Sequence, residues 1–253
     1  MISLFALLSI ALCTLQLCAQ DLTWTIKSKK AKELVDKGMF HFQNVERELA
    51  YNDFLEALKI EPQCTIAQFM LTGLTVGETK KSYEAMARNS VKDKSEGEKM
   101  LVEHMGEYDN AESTRAFWEK MHAQFPDSRL FAYFYATSRK NGEEQFSALQ
   151  EFNAKYPDVP EAYNILGYLN LATKKDTASA KANFEKYIAL YPDGCNPYDS
   201  MGEFYFNSGD MTNAKKYYTM ALEKYPFFVS SLQKMDEINK KEKETANASP
   251  KKE

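Results

Sequence analysis

The chain has 253 residues, which is enough to bury a large core or several stacked units and is too long for a small domain stapled by disulfides. Its formal net charge is -4, and no extended basic stretch precedes the C-terminal tail. Proteins that bind nucleic acids need a basic surface that follows the phosphates, so the composition argues against nucleic acid as a partner.

The N-terminal segment is apolar and uncharged. The first charged residue of the chain is Asp21, and the small residue Ala19 ends the apolar run. This pattern predicts a signal peptide at residues 1–19 that is cleaved after Ala19, so we expect an exported protein, periplasmic or secreted. Two alternatives stay open: an uncleaved membrane anchor, and lipid attachment at Cys13 or Cys18.

Residues 20–30 form a short polar lead segment, and a helical region is predicted from 31 to 239. Its first unit, residues 31–62, contains two helical patterns in which small and apolar residues recur every three or four positions. A proline ends the second pattern because its ring cannot continue a helix. The residues that carry the two patterns are Leu34, Gly38 and His41, then Ala50, Phe54, Ala57 and Pro62. We expect His41 to lie at the edge of the core.

The next stretch, residues 63–126, keeps helical periodicity but lacks clear motif residues. Pro62 and Pro126 are 64 residues apart, close to two repeat lengths. We therefore predict two degenerate helical hairpins here and no separate domain.

Prolines then recur with a regular interval. Pro126, Pro157, Pro192 and Pro226 are separated by 31, 35 and 34 residues, and each of the first three precedes an aspartate. A proline followed by Asp ends one helix and caps the next. The interval predicts repeating helical hairpins, and the residues 161–192 form one of the clearest.

The segment 196–226 specifies a helical hairpin most completely. Gly209 and Asp210 form its turn, and Pro226 ends its second helix. The residues that share a helix face are Tyr198, Met201, Gly202 and Tyr205 in the first helix, and Ala214, Tyr218 and Ala221 in the second. At these positions the segment resembles the tetratricopeptide repeat, with Tyr198 where the family usually has Trp.

The resemblance implies an all-α protein, a right-handed α-solenoid of about six helical hairpins. Each hairpin hides its apolar edge against the next one, so the last hairpin needs a cover. We predict a C-terminal capping helix at residues 228–240. Residues 240–253 are rich in Lys and Glu with few apolar residues, which predicts a disordered charged tail.

The resemblance also implies a non-enzymatic scaffold or assembly adaptor that binds a protein or peptide in a concave groove lined by the first helices. The predicted groove residues are Tyr133, Thr137, Asn164, Tyr168, Asp199, Glu203 and Phe206. This aromatic and acidic surface favours a peptide with apolar and basic side chains. The clamp of Lys, Asn and Arg with which some family members bind acidic C-terminal peptides is absent. An envelope or membrane-associated complex is the setting that we predict for the partner.

Catalytic motifs are missing from the sequence. The three histidines, His41, His104 and His122, do not form a His-x-x-x-His pair, and no Cys-x-x-Cys spacing occurs. We expect no metal, no cofactor and no enzymatic activity. The alternative is a small-ligand, glycan or hydrolytic site near residues 131–135 or near His104 and His122, which would require one deep pocket of convergent polar groups.

Two cysteines follow the predicted signal peptide. Cys64 and Cys195 lie in equivalent turns four repeats apart, which is too far for a disulfide between stacked hairpins. We expect each to be a small apolar residue of its turn.

Overall fold

The computed structural model describes residues 23–107 and 110–248, and within these ranges the chain forms thirteen α-helices and no β-strand. The predicted signal peptide, residues 1–19, lies outside the described residues. The helices are α1 (Lys29–Gln43), α2 (Arg47–Ile60), α3 (Thr65–Thr72), α4 (Gly77–Ser90), α5 (Glu96–Glu103), α6 (Ala111–Gln124), α7 (Arg129–Thr137), α8 (Gly142–Lys155), α9 (Pro160–Leu169), α10 (Thr177–Leu190), α11 (Asn196–Asn207), α12 (Met211–Lys224) and α13 (Val229–Ala248). A single π-helical turn, Asn170–Lys174, continues α9.

We number the successive helix pairs as hairpins 1 to 6, from α1/α2 to α11/α12. The two helices of a pair pack closely on each other except in hairpin 3, where α5 packs on α3 and α4, and α6 packs on α7; α13 packs on α12. This confirms the predicted all-α solenoid with a C-terminal capping helix. Hairpins 2 and 3 occupy residues 65–90 and 96–124, the stretch with the weakest sequence pattern.

The two helices of a hairpin approach closely where a glycine faces an aromatic ring. In hairpin 6, a Cβ on Gly202 would lie 2.8 Å from the ring of Tyr218, and in hairpin 5 a Cβ on Gly167 would lie 2.5 Å from the ring of Phe184. Real Cβ atoms do not come this close, so only glycine fits at these two positions. The glycine and the ring form the central contact of hairpins 5 and 6.

The core runs along the stack as successive apolar layers. The largest layer joins hairpins 1 to 3 to α7, and its fully buried members include Phe54, Leu71 and Phe131. Further layers connect hairpins 4 and 5, then hairpins 5 and 6, and finally α12 and α13 through Tyr218 and Ile238. Each hairpin therefore depends on its neighbours for burial.

The C-terminal tail differs from its prediction. Disorder is expected from residue 240 onwards, but α13 continues to Ala248, and residues 249–253 lie outside the described part. Ion pairs one turn apart support the extension: Lys240 contacts Asp236 at 2.7 Å and Lys241 contacts Glu237 at 3.0 Å. The interleaved acidic and basic residues thus fit a helix surface.

Within the described ranges, no helix combines the length and the apolar character that crossing a membrane requires.

Candidate functional site

The first helices of hairpins 1 to 4 surround an apolar cavity of about 200 Å³ on the inner face of the solenoid. Its walls include Met39 of α1, Phe69 of α3, Leu101 of α5 and Phe134 of α7, together with Trp118 of α6. An apolar cavity of roughly 150 Å³ holds a benzene molecule. The cavity therefore has room for one aromatic or large aliphatic group.

The aromatic segment 131–135 is divided between this cavity and other surroundings. Phe131 and Phe134 line the cavity, and the Phe134 ring stacks on Trp118 with centroids 4.5 Å apart. Tyr133 is buried inside hairpin 4, and Tyr135 lies under the Arg139 guanidinium at 3.9 Å. The segment thus supplies apolar walls to the cavity and no cluster of hydroxyl groups.

A second, more polar pocket of about 310 Å³ lies at hairpins 5 and 6. Four of the predicted groove residues meet in it: Asn164, Tyr168, Asp199 and Glu203. Its opposite wall comes from hairpin 1, through Val45, Arg47 and Glu48, and from the turn before α13, through Phe228, Val229 and Ser230. The pocket is therefore built by both ends of the solenoid.

The two carboxylates of this pocket differ in their surroundings. Asp199 is 5% exposed and accepts hydrogen bonds from the hydroxyls of Ser231 at 2.6 Å and Ser230 at 3.0 Å. Burial raises the pKa of Asp199. Glu203 is only half-buried and accepts a hydrogen bond from the Tyr168 hydroxyl at 2.7 Å. Glu203 is thus the group that a bound ligand could reach, whereas Asp199 holds α13.

The other three predicted groove residues lie elsewhere. Tyr133 is 6% exposed and packs edge-on against Phe152. Thr137 donates its hydroxyl to the carbonyl oxygen of Tyr133 at 3.0 Å, within its own helix. The Phe206 ring lies under the ammonium groups of two α13 lysines, at 4.4 and 4.5 Å. Helix packing, capping of a helix end and the cover by α13 account for the three positions.

Hairpin 1 reaches hairpins 5 and 6 through its turn, a contact that the sequence analysis did not predict. One oxygen of Glu46 accepts hydrogen bonds from the backbone N–H groups of Cys195 at 2.8 Å and Asn196 at 3.4 Å, and the other oxygen accepts from the Tyr191 hydroxyl at 2.8 Å. The Asn44 side-chain oxygen accepts from the Tyr187 hydroxyl at 2.9 Å. The turn therefore lies across the inner face, beside the polar pocket.

The histidines have separate partners. The His104 ring stacks on Phe117 with centroids 4.0 Å apart, and the His122 ring contacts Tyr135 at 4.9 Å. Burial lowers the pKa of both imidazoles. His41 is buried and lies 2.7 Å from Asp53. Within residues 23–107 and 110–248, no three His, Cys, Asp or Glu side chains come together as a metal site would need.

The two described cysteines are free, buried thiols. Burial raises the pKa of Cys64 to about 11, and burial together with the neighbouring Glu46 raises the pKa of Cys195. Both are therefore protonated near neutral pH and are poor nucleophiles. Cys195 is more than an apolar turn residue, since its thiol donates to the Glu46 carboxylate at 3.2 Å.

The role of Asp199 in holding α13 can be measured. Asp199→Ala removes the acceptor of two serine hydroxyls and leaves the fully buried Ser231 without it. We expect the free energy of unfolding in urea to fall by about 1–3 kcal/mol. The matched change Asp193→Ala, at an exposed residue paired with Lys224, should shift it by less than about 0.5 kcal/mol. An equal effect of both changes would contradict the assignment.

Stacked helical hairpins with a glycine facing an aromatic ring define an α-solenoid repeat protein. The family model of the tetratricopeptide repeat matches residues 161–194 and 200–227, which are hairpins 5 and 6. Hairpins 5 and 6 are therefore tetratricopeptide repeats, which confirms the sequence resemblance at these residues. No curated protein matches the chain.

Several solved structures are similar in fold. PilW, a widely conserved type IV pilus biogenesis factor, has 14% identity over 82% of this chain and 99% of its own, with a TM-score of 0.47. A tetratricopeptide repeat protein of Thermus thermophilus has 16% identity over 82% and 98%, with a TM-score of 0.46. The APC/C hetero-tetramer Cut9-Hcn1 has 12% identity over 83% and 42%, with a TM-score of 0.50. At these identities the likeness concerns the fold alone.

Proposed function

We propose that the protein is a non-enzymatic interaction scaffold or assembly adaptor that holds a peptide segment of a partner protein on its inner face. The observation that carries this proposal is the apolar cavity between the first helices of hairpins 1 to 4. Buried apolar and aromatic anchors supply most of the binding energy at protein interfaces, and a cavity of about 200 Å³ suits one such side chain.

The polar pocket at hairpins 5 and 6 would suit a basic side chain of the same bound peptide. Glu203 and Glu48 line it, and the buried Asp199 adds a third acidic side chain against the single basic residue Arg47. Charged groups of opposite sign favour encounter and fix the register of a bound segment. We propose Asn164, Tyr168 and Glu203 as the polar part of the binding surface, with Asp199 behind them holding α13.

We further propose that the protein acts outside the cytoplasm, in the periplasm or as a secreted protein. The support is the uncharged apolar segment 1–19, which has the pattern of a cleaved signal peptide. The intact mass of the protein purified from its host would test this, since cleavage after Ala19 leaves Gln20 as the first residue. A partner within an envelope complex is consistent with that location.

A second candidate function is the binding of a small apolar ligand in the same cavity. Phe131, Phe134 and Trp118 among its walls favour this alternative, because aromatic walls suit a free aromatic ligand as well as a side chain. Apolar walls disfavour a glycan, whose hydroxyls would need polar partners.

Filling the cavity tests the proposed function. The protein would first be used to select peptides from a random library, with enrichment expected for an aromatic or aliphatic anchor near Lys or Arg. Leu130→Trp then places a larger apolar side chain in the cavity wall. We expect the affinity of a selected peptide, measured by calorimetry, to fall by about tenfold or more.

The control is Leu130→Met, which nearly conserves volume and should keep the affinity within about threefold. Thermal melts of both variants check the fold. Selection that yields no anchored peptide would overturn the proposed function. Binding of indole that Leu130→Trp abolishes, without peptide binding, would support the second candidate.

A further inference from the structure

The turn of hairpin 1 has a particular backbone geometry. The N–H of Glu46 donates to the carbonyl oxygen of His41 at 2.9 Å, and the N–H of Val45 donates to that of Phe42 at 3.1 Å. These two bonds form a Schellman motif, in which the residue after the helix cap takes a left-handed conformation. Here that residue is Val45, with a φ of 63°. A β-branched residue is strained in this region.

The corresponding turn of hairpin 6 shows the usual solution. Asp210 donates its N–H to the carbonyl oxygen of Tyr205 at 3.0 Å, and Gly209 donates to that of Phe206 at 3.1 Å. Gly209 takes the left-handed conformation, with a φ of 84°, without strain. The Asp210 carboxylate then caps α12 by accepting the Asn213 N–H at 3.0 Å. The left-handed glycine and the aspartate cap both stabilise the turn through residues of the turn itself.

The turn of hairpin 1 has neither the left-handed glycine nor the side-chain cap. Val45 replaces the glycine, and Glu46, at the cap position of α2, makes no side-chain capping bond. Its carboxylate instead reaches hairpins 5 and 6, 149 residues away along the chain, where Cys195 and Tyr191 hold it. Glu46 is 1% exposed, so its side chain is fully buried in this long-range contact. The side chain that would cap its own helix is used to join the ends of the solenoid.

The contact is small and largely polar. Besides the bonds of Glu46 and Asn44, its ring contact is Phe40 against Tyr191, edge to face at 4.8 Å. Val45 itself is half exposed. Small, polar contacts between distant parts of a chain open more readily than the packed layers of a core.

We propose that the turn Asn44–Glu46 is a releasable latch, which closes the solenoid across its inner face and opens to admit a partner. In the closed state the turn covers the N-terminus of α11 and forms one wall of the polar pocket. Release frees the strained Val45 and lets hairpin 1 move away from hairpins 5 and 6. That the latch controls the access of a partner rests on the proposed function. That the latch opens does not.

The two buried cysteines provide a direct test. Cys195 lies under the latch, whereas Cys64 lies in the core layer of hairpins 1 to 3. The rate at which N-ethylmaleimide labels each thiol can be followed by mass spectrometry of the peptides that contain them. Labelling of Cys195 reports release, and labelling of Cys64 reports general unfolding.

We expect Glu46→Ala to raise the labelling rate of Cys195 by about tenfold or more, because buried hydrogen bonds to a charged group are lost. The rate at Cys64 should stay unchanged. The matched control Glu56→Ala removes an exposed carboxylate of the same helix, away from the turn, and should leave both rates unchanged. Tyr191→Phe removes the hydroxyl that donates to Glu46 and should also raise the labelling rate of Cys195.

Val45→Gly should act in the opposite direction. It relieves the left-handed strain of the closed turn, and the Cys195 rate should fall roughly fivefold. Since Glu46 is retained, this change cannot come from an altered thiol pKa. The latch is overturned if Glu46→Ala and Tyr191→Phe both leave the Cys195 rate within about twofold of the parent protein, if Cys64 labelling rises in step, or if Val45→Gly does not slow labelling.

Access is tested separately with a library-selected peptide. If the latch controls entry, Glu46→Ala should increase the association rate of the peptide, measured by stopped-flow fluorescence, in proportion to the open fraction. Faster Cys195 labelling with an unchanged association rate would keep the latch and overturn its control of access. An absence of any peptide binding would count against the proposed function and not against the latch.

Discussion

Gly167→Ala is expected to lower the free energy of unfolding by about 2 kcal/mol or more, the range for inserting a methyl group into a well-packed core. The added Cβ would lie 2.5 Å from the ring of Phe184. This ring is fully buried and is held by the neighbouring rings of Tyr168 at 5.0 Å and Phe204 at 6.0 Å. It cannot move without disturbing the contact between hairpins 5 and 6. Urea denaturation followed by circular dichroism gives the measurement.

Gly73→Ala is the control for this prediction. The nearest atom to a Cβ there is the carbonyl oxygen of Met70 at 3.6 Å, an ordinary contact, and the φ of Gly73 is -79°. We expect a change within about 0.5 kcal/mol. If Gly167→Ala were no more destabilising than Gly73→Ala, the close approach of the two helices in hairpin 5 would not be a determinant of stability.

The same glycine contacts explain why hairpins 5 and 6 could be predicted from the sequence. A hairpin brings together residues less than about 34 positions apart, so the spacing of Gly202, Tyr218 and Pro226 carries the local fold directly. Hairpins 2 and 3 lack such residues, and only periodicity and the interval between prolines indicated them. The helical extension of α13 was missed because composition alone does not reveal ion pairs between successive turns.

The candidate site was predictable only in part, for a physical reason. Asn164, Tyr168, Asp199 and Glu203 share the inner face because they lie on the first helices of adjacent hairpins. The closing contact of Glu46 depends on the accumulated curvature of three intervening hairpins, which no local pattern encodes. The available signal was small: the turn of hairpin 1 has Val and Glu where that of hairpin 6 has Gly and Asp.

Closure also changes what the inner face offers a partner. An open solenoid would present one continuous groove, whereas this chain presents the apolar cavity at hairpins 1 to 4 and, separately, the polar pocket at hairpins 5 and 6. Hairpin 1 contributes to both, through Met39 to the cavity and through Val45 to the pocket. A movement of hairpin 1 would therefore reshape both compartments together.

Glu161 is a buried acid near the latch, and we expect it to make the free energy of unfolding depend strongly on pH. Glu161 is the second residue of α9, after Pro160, and is 3% exposed. Burial raises its pKa to about 7, and Asp158 adds to this, although a backbone hydrogen bond, Arg129 and the side chain of Asn44 act in the opposite direction. The folded protein thus holds this proton at pH values where an unfolded chain, with a carboxyl pKa of about 4.5, has lost it.

This difference sets the sign of the pH dependence. Below pH 4.5 the carboxyl is protonated in both states and has no effect on stability. Between pH 4.5 and about 7 the unfolded state releases the proton and the folded state keeps it, so the free energy of unfolding falls as the pH rises. At one kilocalorie or slightly more per pH unit, the fall reaches about 3 kcal/mol above pH 7.

Glu161→Gln should remove this fall, because the amide does not titrate and has nearly the same shape. We expect the two proteins to have similar stability at pH 4.5, and the variant to be more stable by about 2–4 kcal/mol at pH 8, measured by urea denaturation across that range. The difference between the curves isolates Glu161 from other titrating acids such as Asp199. Glu151→Gln, at an exposed position of α8, should follow the parent protein at every pH. Parallel curves for Glu161→Gln and the parent would show that the carboxyl ionises in the folded state as freely as in water, and so is not buried beside the latch.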